Sequence, residues 1–431
     1  MRYIKVLSIN NILLSIVFLL TSLSTNSMAY NKQDTIKVGI LHSLSGDMAI
    51  SESVLKDALL MLIEEQNSKG GLLGKQLEAI VLDPESNWPL FAEKARQLIE
   101  QKNVDVIFGC WTSVSRKHVL PVVEELNHIL FYPVQYEGQE SSRNIFYTGA
   151  SPNQQALPAI DYLIKDKAIE RWVLMGTDYL YPRTVNKIIT SYLNELGVDN
   201  DDIMLSYTPF GFNQWQERIA DIKRYAKQGK KTAIVSTING VANVSFYQEI
   251  VKQKINANEL PIMAFSISEN ELSQIGSENL TGHLVAWNYV MDVSHPNNTA
   301  FIQRWQTFQN NKKAVTNDPI EAHYIGFELW LKAVNIAQTT ESNRVIDALI
   351  GLKVTNLSGG EAQMLPNHHI TKPFMVGRIE DSGKIKFIEQ PSKNIPGDAW
   401  SDFILTSKYL IADWTKPVMC GRFNKISKQC K

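Results

Sequence analysis

The chain reads as an α/β protein made of two doubly wound parallel-sheet lobes with a hinged inter-lobe cleft. Three observations predict this. Apolar strand-like runs alternate with amphipathic helical stretches along most of the length. The alternation comes in two successive series, the second beginning near Ser151-Pro152-Asn153. The 431 residues exceed what one hydrophobic core usually supports.

The first series opens with Ile36–Leu41 (IKVGIL), an unbroken apolar run typical of a parallel strand covered on both faces. Residues 50–68 carry Val54, Ala58, Met61 and Leu62 at helical spacing, and Gly70-Gly71 ends the helix. Residues 76–82 read as a second strand. Residues 88–101 read as a helix with Phe91, Ala95, Leu98 and Ile99 on one face. Residues 104–108 (VDVIF) make a third strand, 117–126 a helix and 129–131 a short strand. The second series predicts helices over 154–165, 183–196, 214–226 and 244–251, alternating with strands at 172–176, 203–207, 232–236 and 262–265, and a further strand at 284–287. Helices over 299–309 and 320–337 have no strands directly behind them, so they are expected to return to the first lobe. Residues 372–389, with Asp381-Ser382-Gly383-Lys384 at the centre, read as a β-hairpin. The resulting division is 35–150 plus 290–365 for the N-terminal lobe, 151–289 plus 366–400 for the C-terminal lobe, and a tail over 401–431. Crossings are expected near Gly149–Asn153, Asn288–Val293 and Leu365–Asn367.

Hydrophobic content of 44% and charged content of 20% fit a globular protein. The formal net charge of -1 gives no general attraction to nucleic acid or anionic lipid. The densest basic run, Lys227–Lys231, is interrupted by neutral residues and reads as solvated loop. The N-terminus has the three parts of a secretory signal peptide over residues 1–29. Arg2 and Lys5 are the charged part, Ile12–Leu20 the apolar part, and Ser27-Met28-Ala29 the cleavage site. The expected location is therefore periplasmic, and with no Cys at the cut a lipid anchor is not indicated. Cys420 and Cys430 are free to pair in an oxidising compartment, and Cys110 reads as a small buried residue.

Open parallel sheets bind ligands at the carboxyl ends of their strands, so the strand-end loops are the candidate site. After the third strand comes Gly109-Cys110-Trp111-Thr112-Ser113, which offers hydroxyls at a helix start. They suit a ligand oxygen, or they simply cap the helix. Trp111 is either a stacking wall or core. The next loop, Tyr132-Pro133-Val134-Gln135-Tyr136-Glu137, combines phenols, an amide and a carboxylate. In the second half Thr177-Asp178-Tyr179-Leu180-Tyr181, Thr237-Ile238-Asn239-Gly240 and Ser266-Ile267-Ser268-Glu269 also follow strands.

The segments GCWTSVSRK, FYPVQYEGQESSRNIFYTGASPNQQ, GTDYLYPR, STINGVANV, TNDPIEAHYIGFELW and MLPNHHITKP resemble urea ABC transporter substrate-binding proteins. These belong to the branched-chain amino acid and amide class of the type I periplasmic binding fold. The resemblance runs from about Ile36 to about Glu389. It implies a receptor that does no chemistry and delivers urea or a short amide to ABC permease subunits. It also implies a ligand set of Trp111, Ser113, Tyr132, Gln135, Tyr179 and Tyr181, with Glu269 matching the glutamate that meets an ammonium in amino acid-binding relatives. The first-loop aromatic is Trp here rather than Tyr, and Gln135 replaces a Pro. Urea carries four N–H donors and one carbonyl, so a selective site needs several acceptors. Glu137, Asp178, Gln135, Glu269 and tyrosine oxygens supply them, while Ser113 donates to the carbonyl. A cytoplasmic branch senses amides and signals to a protein partner, which is the alternative function.

Enzyme readings find little support. Gly70–Gln76 follows a helix and has Gln76 where a phosphate loop needs Ser or Thr. There is no GxGxxG after the first strand, no HExxH and no GxSxG, and His368-His369 is a pair of neighbours pointing apart. No cofactor or metal is expected.

Overall fold

The structure, a computed structural model, describes residues 34–227, 229–276, 280–388 and 393–431. The signal-peptide reading of residues 1–29 lies outside the described residues, as does Glu389 at the end of the expected hairpin. One compact body spans Ile36–Lys431.

Five short parallel strands form the first sheet: β1 (Ile36–Leu41), β2 (Leu77–Leu82), β3 (Val106–Gly109), β4 (Leu130–Tyr132) and β5 (Ile145–Tyr147), in the order β2-β1-β3-β4-β5. Val38 faces Val106, and Ile107 faces Leu130. Helices α1 (Ala49–Ser68), α2 (Trp88–Arg96) and α3 (Ser113–Glu125) connect these strands. α2 starts on Asn87, whose side chain accepts from the Leu90 N–H, and it continues as a π-turn over Gln97–Gln101. A Cβ on Gly109 would sit 2.2 Å from the Leu41 carbonyl oxygen, so only glycine lets β3 lie so close to β1.

The second lobe follows with α4 (Ala156–Lys167), β6 (Arg171–Thr177), α5 (Leu180–Glu195), β7 (Ile203–Thr208), α6 (Gln216–Ala226), β8 (Thr232–Thr237), α7 (Ala242–Lys252), β9 (Ile262–Ala264), α8 (Glu269–Ile275) and β10 (Leu284–Trp287). The chain then runs through α9 (Pro296–Phe308), α10 (Asp318–Ala337) and α11 (Ser342–Leu349). Phe301, Trp305, Trp330 and Ile346 on these helices share one apolar core with Val38, Ile107 and Phe131 of the first sheet. After β11 (Lys353–Thr355), β12 (Glu361–Gln363) and β13 (Thr371–Lys372) come β14 (Met375–Ile379) and β15 (Ile385–Phe387). These two extend the second sheet, β15-β14-β10-β9-β8-β6-β7, with β14 antiparallel to β10. Two apolar cores cover that sheet's faces, one holding Val173 and Trp215, the other Trp172 and Val185.

Three chain segments therefore pass between the sheets: Tyr147 to Ala156, Trp287 to Pro296, and Gln363 to Met375. Buried polar contacts tie them together. Lys372 Nζ lies 3.3 Å from Asp318 Oδ1, and Asp318 Oδ2 accepts from the Asn288 N–H. The Asn288 amide donates to the Gln154 and Pro373 carbonyls. The last segment adds β16 (Ile395–Pro396), paired with β13, then β17 (Leu410–Asp413), β18 (Cys420–Asn424) and β19 (Gln429–Cys430) in a separate three-stranded sheet. Cys420 and Cys430 are disulfide-bonded there, and Cys110 is free and buried.

Candidate functional site

The carboxyl ends of β3 and β4 face those of β6, β8 and β9 across a shut cleft. Direct hydrogen bonds cross it. The Trp111 indole N–H donates to Asn239 Oδ1 at 3.3 Å, the Gln135 amide to the Phe265 carbonyl at 2.8 Å, and the Ser51 hydroxyl to Glu271 Oε1 at 2.7 Å. The Asn270 amide reaches the Ile50 carbonyl, and the Asn317 amide reaches Ser268 Oγ.

Thr112 caps α3, accepting from the Ser115 N–H at 3.0 Å. Ser113, at the first helical position, turns its hydroxyl to Glu137 and donates to Oε2. The expected role of Ser113 as donor to a ligand carbonyl is thus taken up within the protein. Arg116, one turn further along α3, donates from Nη2 to Glu137 Oε1 at 3.0 Å and from Nε to Glu140 Oε1 at 2.8 Å. Tyr147 donates to the same Glu140 oxygen, and Lys117 pairs with the other. The guanidinium lies 4.7 Å from the Tyr132 ring centroid and 4.5 Å from that of Tyr136. Apart from Lys117, which is 39% exposed, this charge network is buried. Burial alone would lower the Arg116 pKa, but Glu140 and Glu137 outweigh it and hold it well above the ordinary value. Burial likewise raises Glu140, yet Arg116 and Lys117 dominate and hold it at about 2.

The β4 loop is held by its neighbours. Tyr132 donates its hydroxyl to the Trp111 carbonyl at 2.5 Å. Gly149 lies beneath Val134, where a Cβ would come 2.1 Å from the Val134 carbonyl carbon and oxygen. Gln135 Nε2 donates to the Phe265 carbonyl and to Ser266 Oγ, which fixes the amide orientation because a carbonyl only accepts. Its Oε1 is buried and, among the described residues, has no partner. Tyr181 is 2% exposed, and its hydroxyl faces Ser266 and Gln135 without closing a hydrogen bond to either. Burial raises its pKa, so it is a neutral phenol at pH 7. Tyr179 packs on Phe210 at 4.9 Å, with its phenol toward Tyr132, Tyr181 and Glu137.

Eight of the ten expected residues therefore gather at the cleft: Trp111, Ser113, Tyr132, Gln135, Glu137, Tyr179, Tyr181 and Asn239. Two stand apart. Asp178 has 44% of its side chain exposed and pairs with Arg183 at 2.5 Å, which lowers its pKa. Glu269 starts α8 near the segment that follows β10, where its Oε1 accepts from the Met291 N–H at 2.7 Å. Burial pushes Glu269 up to about 8, with Glu271 and Asp318 as its charged neighbours. Arg116, Glu140, Ser266 and the Ser51–Glu271 contact were not singled out from sequence. Arg116 carried a signal in its spacing, three residues after Ser113 and therefore on the same helical face.

The groups left available are acceptors or amphoteric: the remaining Glu137 lone pairs, Gln135 Oε1 and the phenols of Tyr179 and Tyr181. The cation at hand, Arg116, is committed to carboxylates. Ser113 bonds a carboxylate and an arginine rather than an imidazole, and burial raises the Cys110 thiol, so neither is an activated nucleophile. The site is built to surround a small molecule.

Two parallel-sheet lobes closing over an enclosed polar cluster define the class of two-lobed binding proteins. Within that class, the chain belongs to the family described as periplasmic binding protein domain, whose profile matches residues 36–406. Solved structures share the fold at low identity. A solute-binding protein of an ABC transporter from Rhodopseudomonas palustris HaA2, in complex with p-hydroxybenzoic acid, superimposes with a TM-score of 0.74 at 21% identity, covering 84% of this chain and 98% of that one. A leucine-binding protein from Thermotoga maritima gives 0.70 at 16%, covering 83% and 99%. A branched-chain amino acid transporter substrate-binding protein from Streptococcus pneumoniae, in complex with isoleucine, gives 0.70 at 17%, covering 84% and 100%.

Proposed function

We propose that this chain is the exported solute-capturing component of an ABC importer, taking urea or a short amide into the cleft and handing it to the permease. One observation carries the ligand class. The enclosed groups still free to bond include Gln135 Oε1 and the Tyr181 hydroxyl, which lie beside a carboxylate, Glu137, that Arg116 holds by an ion pair. Such a set favours a neutral, N–H-rich molecule. A ligand carboxylate would meet Glu137 with no uncommitted cation, and like charges at close range are strongly unfavourable. The ligand-binding residues in this reading are Trp111, Ser113, Tyr132, Gln135, Glu137, Tyr179, Tyr181 and Asn239. Ser113 acts by orienting Glu137. Export follows from the signal-peptide pattern and fits the family.

Isothermal calorimetry against urea, formamide, acetamide, leucine and 4-hydroxybenzoate tests the ligand. Urea or a short amide is expected to bind, and the two carboxylates are not. Tight binding of leucine or 4-hydroxybenzoate with none of urea would overturn the ligand class.

A further inference from the structure

The family match ends at residue 406, and the three solved structures named above are covered over 98% or more of their length by 83–84% of this chain. The β17–β19 sheet is therefore an addition to the binding fold. Its composition is unlike the whole. Residues 401–431 hold six basic residues, Lys408, Lys416, Arg422, Lys425, Lys428 and Lys431, against Asp402 and Asp413, in a chain whose net charge is -1. All six basic side chains except the half-buried Lys408 are exposed. Large apolar side chains are exposed in the same segment: Leu405 is 84% exposed, Ile426, next to Lys425 in sequence, 71%, and Tyr409, against Lys408, 45%.

The arrangement is ordered. Ala399, Trp400 and Leu410 form a small core of the sheet's own, and the Trp400 indole donates to the Gly421 carbonyl at 2.7 Å. Trp414 fastens the sheet to the body, donating to Ser141 Oγ of the first lobe at 3.1 Å and, from its backbone, to the Pro366 carbonyl. The Lys425 N–H donates to the Tyr409 carbonyl at 2.7 Å, which sets Tyr409 beside Lys425 and Ile426. The disulfide between Cys420 and Cys430 ties β19 to β18. The inward positions are satisfied, so the outward apolar and basic residues are not unmet core. Among the described residues no helix is long and apolar enough to cross a membrane.

We infer that this module docks the protein onto an anionic phospholipid surface. Lys425 and Lys428 would meet headgroup phosphates, while Leu405, Tyr409 and Ile426 enter the interface. Basic residues near an anionic bilayer gain roughly fivefold in partition each, and apolar and aromatic side chains add to this at the headgroup level. A protein partner of matching acidity would need a recessed, complementary surface. Isolated apolar tips among lysines suit a fluid interface better. Whole-chain net charge conceals the feature by averaging it against an acidic remainder.

Co-sedimentation of the full-length mature protein with vesicles tests it. Vesicles of phosphatidylcholine alone are compared with vesicles containing phosphatidylglycerol. Binding is expected only to the anionic vesicles, weakening as salt rises. Lys425→Glu with Lys428→Glu should lower partition at least tenfold. Ile426→Ser with Leu405→Ser should lower it several-fold with an unchanged salt slope. Both double variants should bind the calorimetric ligand like the parent, so loss of solute binding would be a separate result bearing on the proposed function. Equal sedimentation with both vesicle types, or with neither, would overturn the inference. So would reduced import in cells by the Lys425/Lys428 variant without any vesicle binding, because that outcome assigns the surface to a protein.

Discussion

Two residues at the site separate structure from recognition. Arg116 is fully buried between Glu137 and Glu140. Replacing it with Met would leave the buried Glu137 carboxylate uncompensated and Glu140 with Lys117 alone, a change that typically costs about 3–5 kcal/mol. Guanidinium denaturation should report that loss for Arg116→Met. Urea is unsuitable as denaturant because it is the proposed ligand. The pH dependence follows from the sign of the Glu140 shift. Its folded pKa of about 2 lies below the ordinary 4.5, so its contribution is full above 4.5 and lost as pH falls toward 2. Arg116→Met should flatten that acid limb. Tyr181 is the converse case. Among the described residues its hydroxyl closes no hydrogen bond, although Ser266 and Gln135 lie beside it, so Tyr181→Phe should leave stability within about 0.5 kcal/mol of the parent. Calorimetry should nonetheless show affinity for urea lower by about threefold to tenfold, the net worth of one hydrogen bond. An equal loss of stability and affinity would place Tyr181 in the core rather than in the binding set.

At the scale of elements, the sequence carried most of the alternation, and its gaps have physical causes. Long apolar strands such as IKVGIL and helices with a clear face were legible within a few residues. β5 goes unassigned because Ile145–Tyr147 is three residues long, too short to display a period, and, unlike 129–131, follows no predicted helix that would mark it. α8 was missed because its seven residues, ENELSQI, look like polar loop. The signal present was its capping box, in which Ser268 and Glu271 bond each other reciprocally. The sequence assigns no elements to the tail over 401–431, where the Cys420–Cys430 disulfide and the indoles of Trp400 and Trp414 organise β17–β19. At the site, the loops were legible but the roles within them were not. Spacing cannot reveal that Asp178 turns out to Arg183 or that Ser113 turns in to Glu137. Those directions depend on φ, ψ and, for Ser113, on a partner 24 residues away in sequence. Loop positioning itself is open to test. Gly149→Ala would force a Cβ to within 2.1 Å of the Val134 carbonyl. The displaced β4 loop should cost about 1–3 kcal/mol of stability and weaken ligand binding with it, read by denaturation and calorimetry on the same sample.

Across the whole molecule, affinity depends on closure as well as on contact. A ligand that bonds both lobes stabilises the shut form, and anything else that stabilises that form raises affinity without touching the ligand. Ser51 on α1 and Glu271 on α8 meet this description, joined at 2.7 Å across the seam. Neither belongs to the cluster around Glu137. Glu271 is buried, and burial raises its pKa despite the hydrogen bonds from Ser268 and Ser51, so its oxygen is costly to leave unpaired in the shut form. When the lobes part, water reaches the same oxygen and the penalty disappears. Ser51→Ala should therefore penalise only the closed state, by about 1–3 kcal/mol, equivalent to roughly fivefold to a hundredfold in apparent affinity. Small-angle scattering should show the unliganded variant with a larger radius of gyration than the unliganded parent. At saturating ligand the two should converge, because binding energy from the intact Glu137 cluster again draws the lobes together. If Ser51→Ala binds and scatters like the parent, the seam contributes nothing to closure, and affinity is set at the ligand alone.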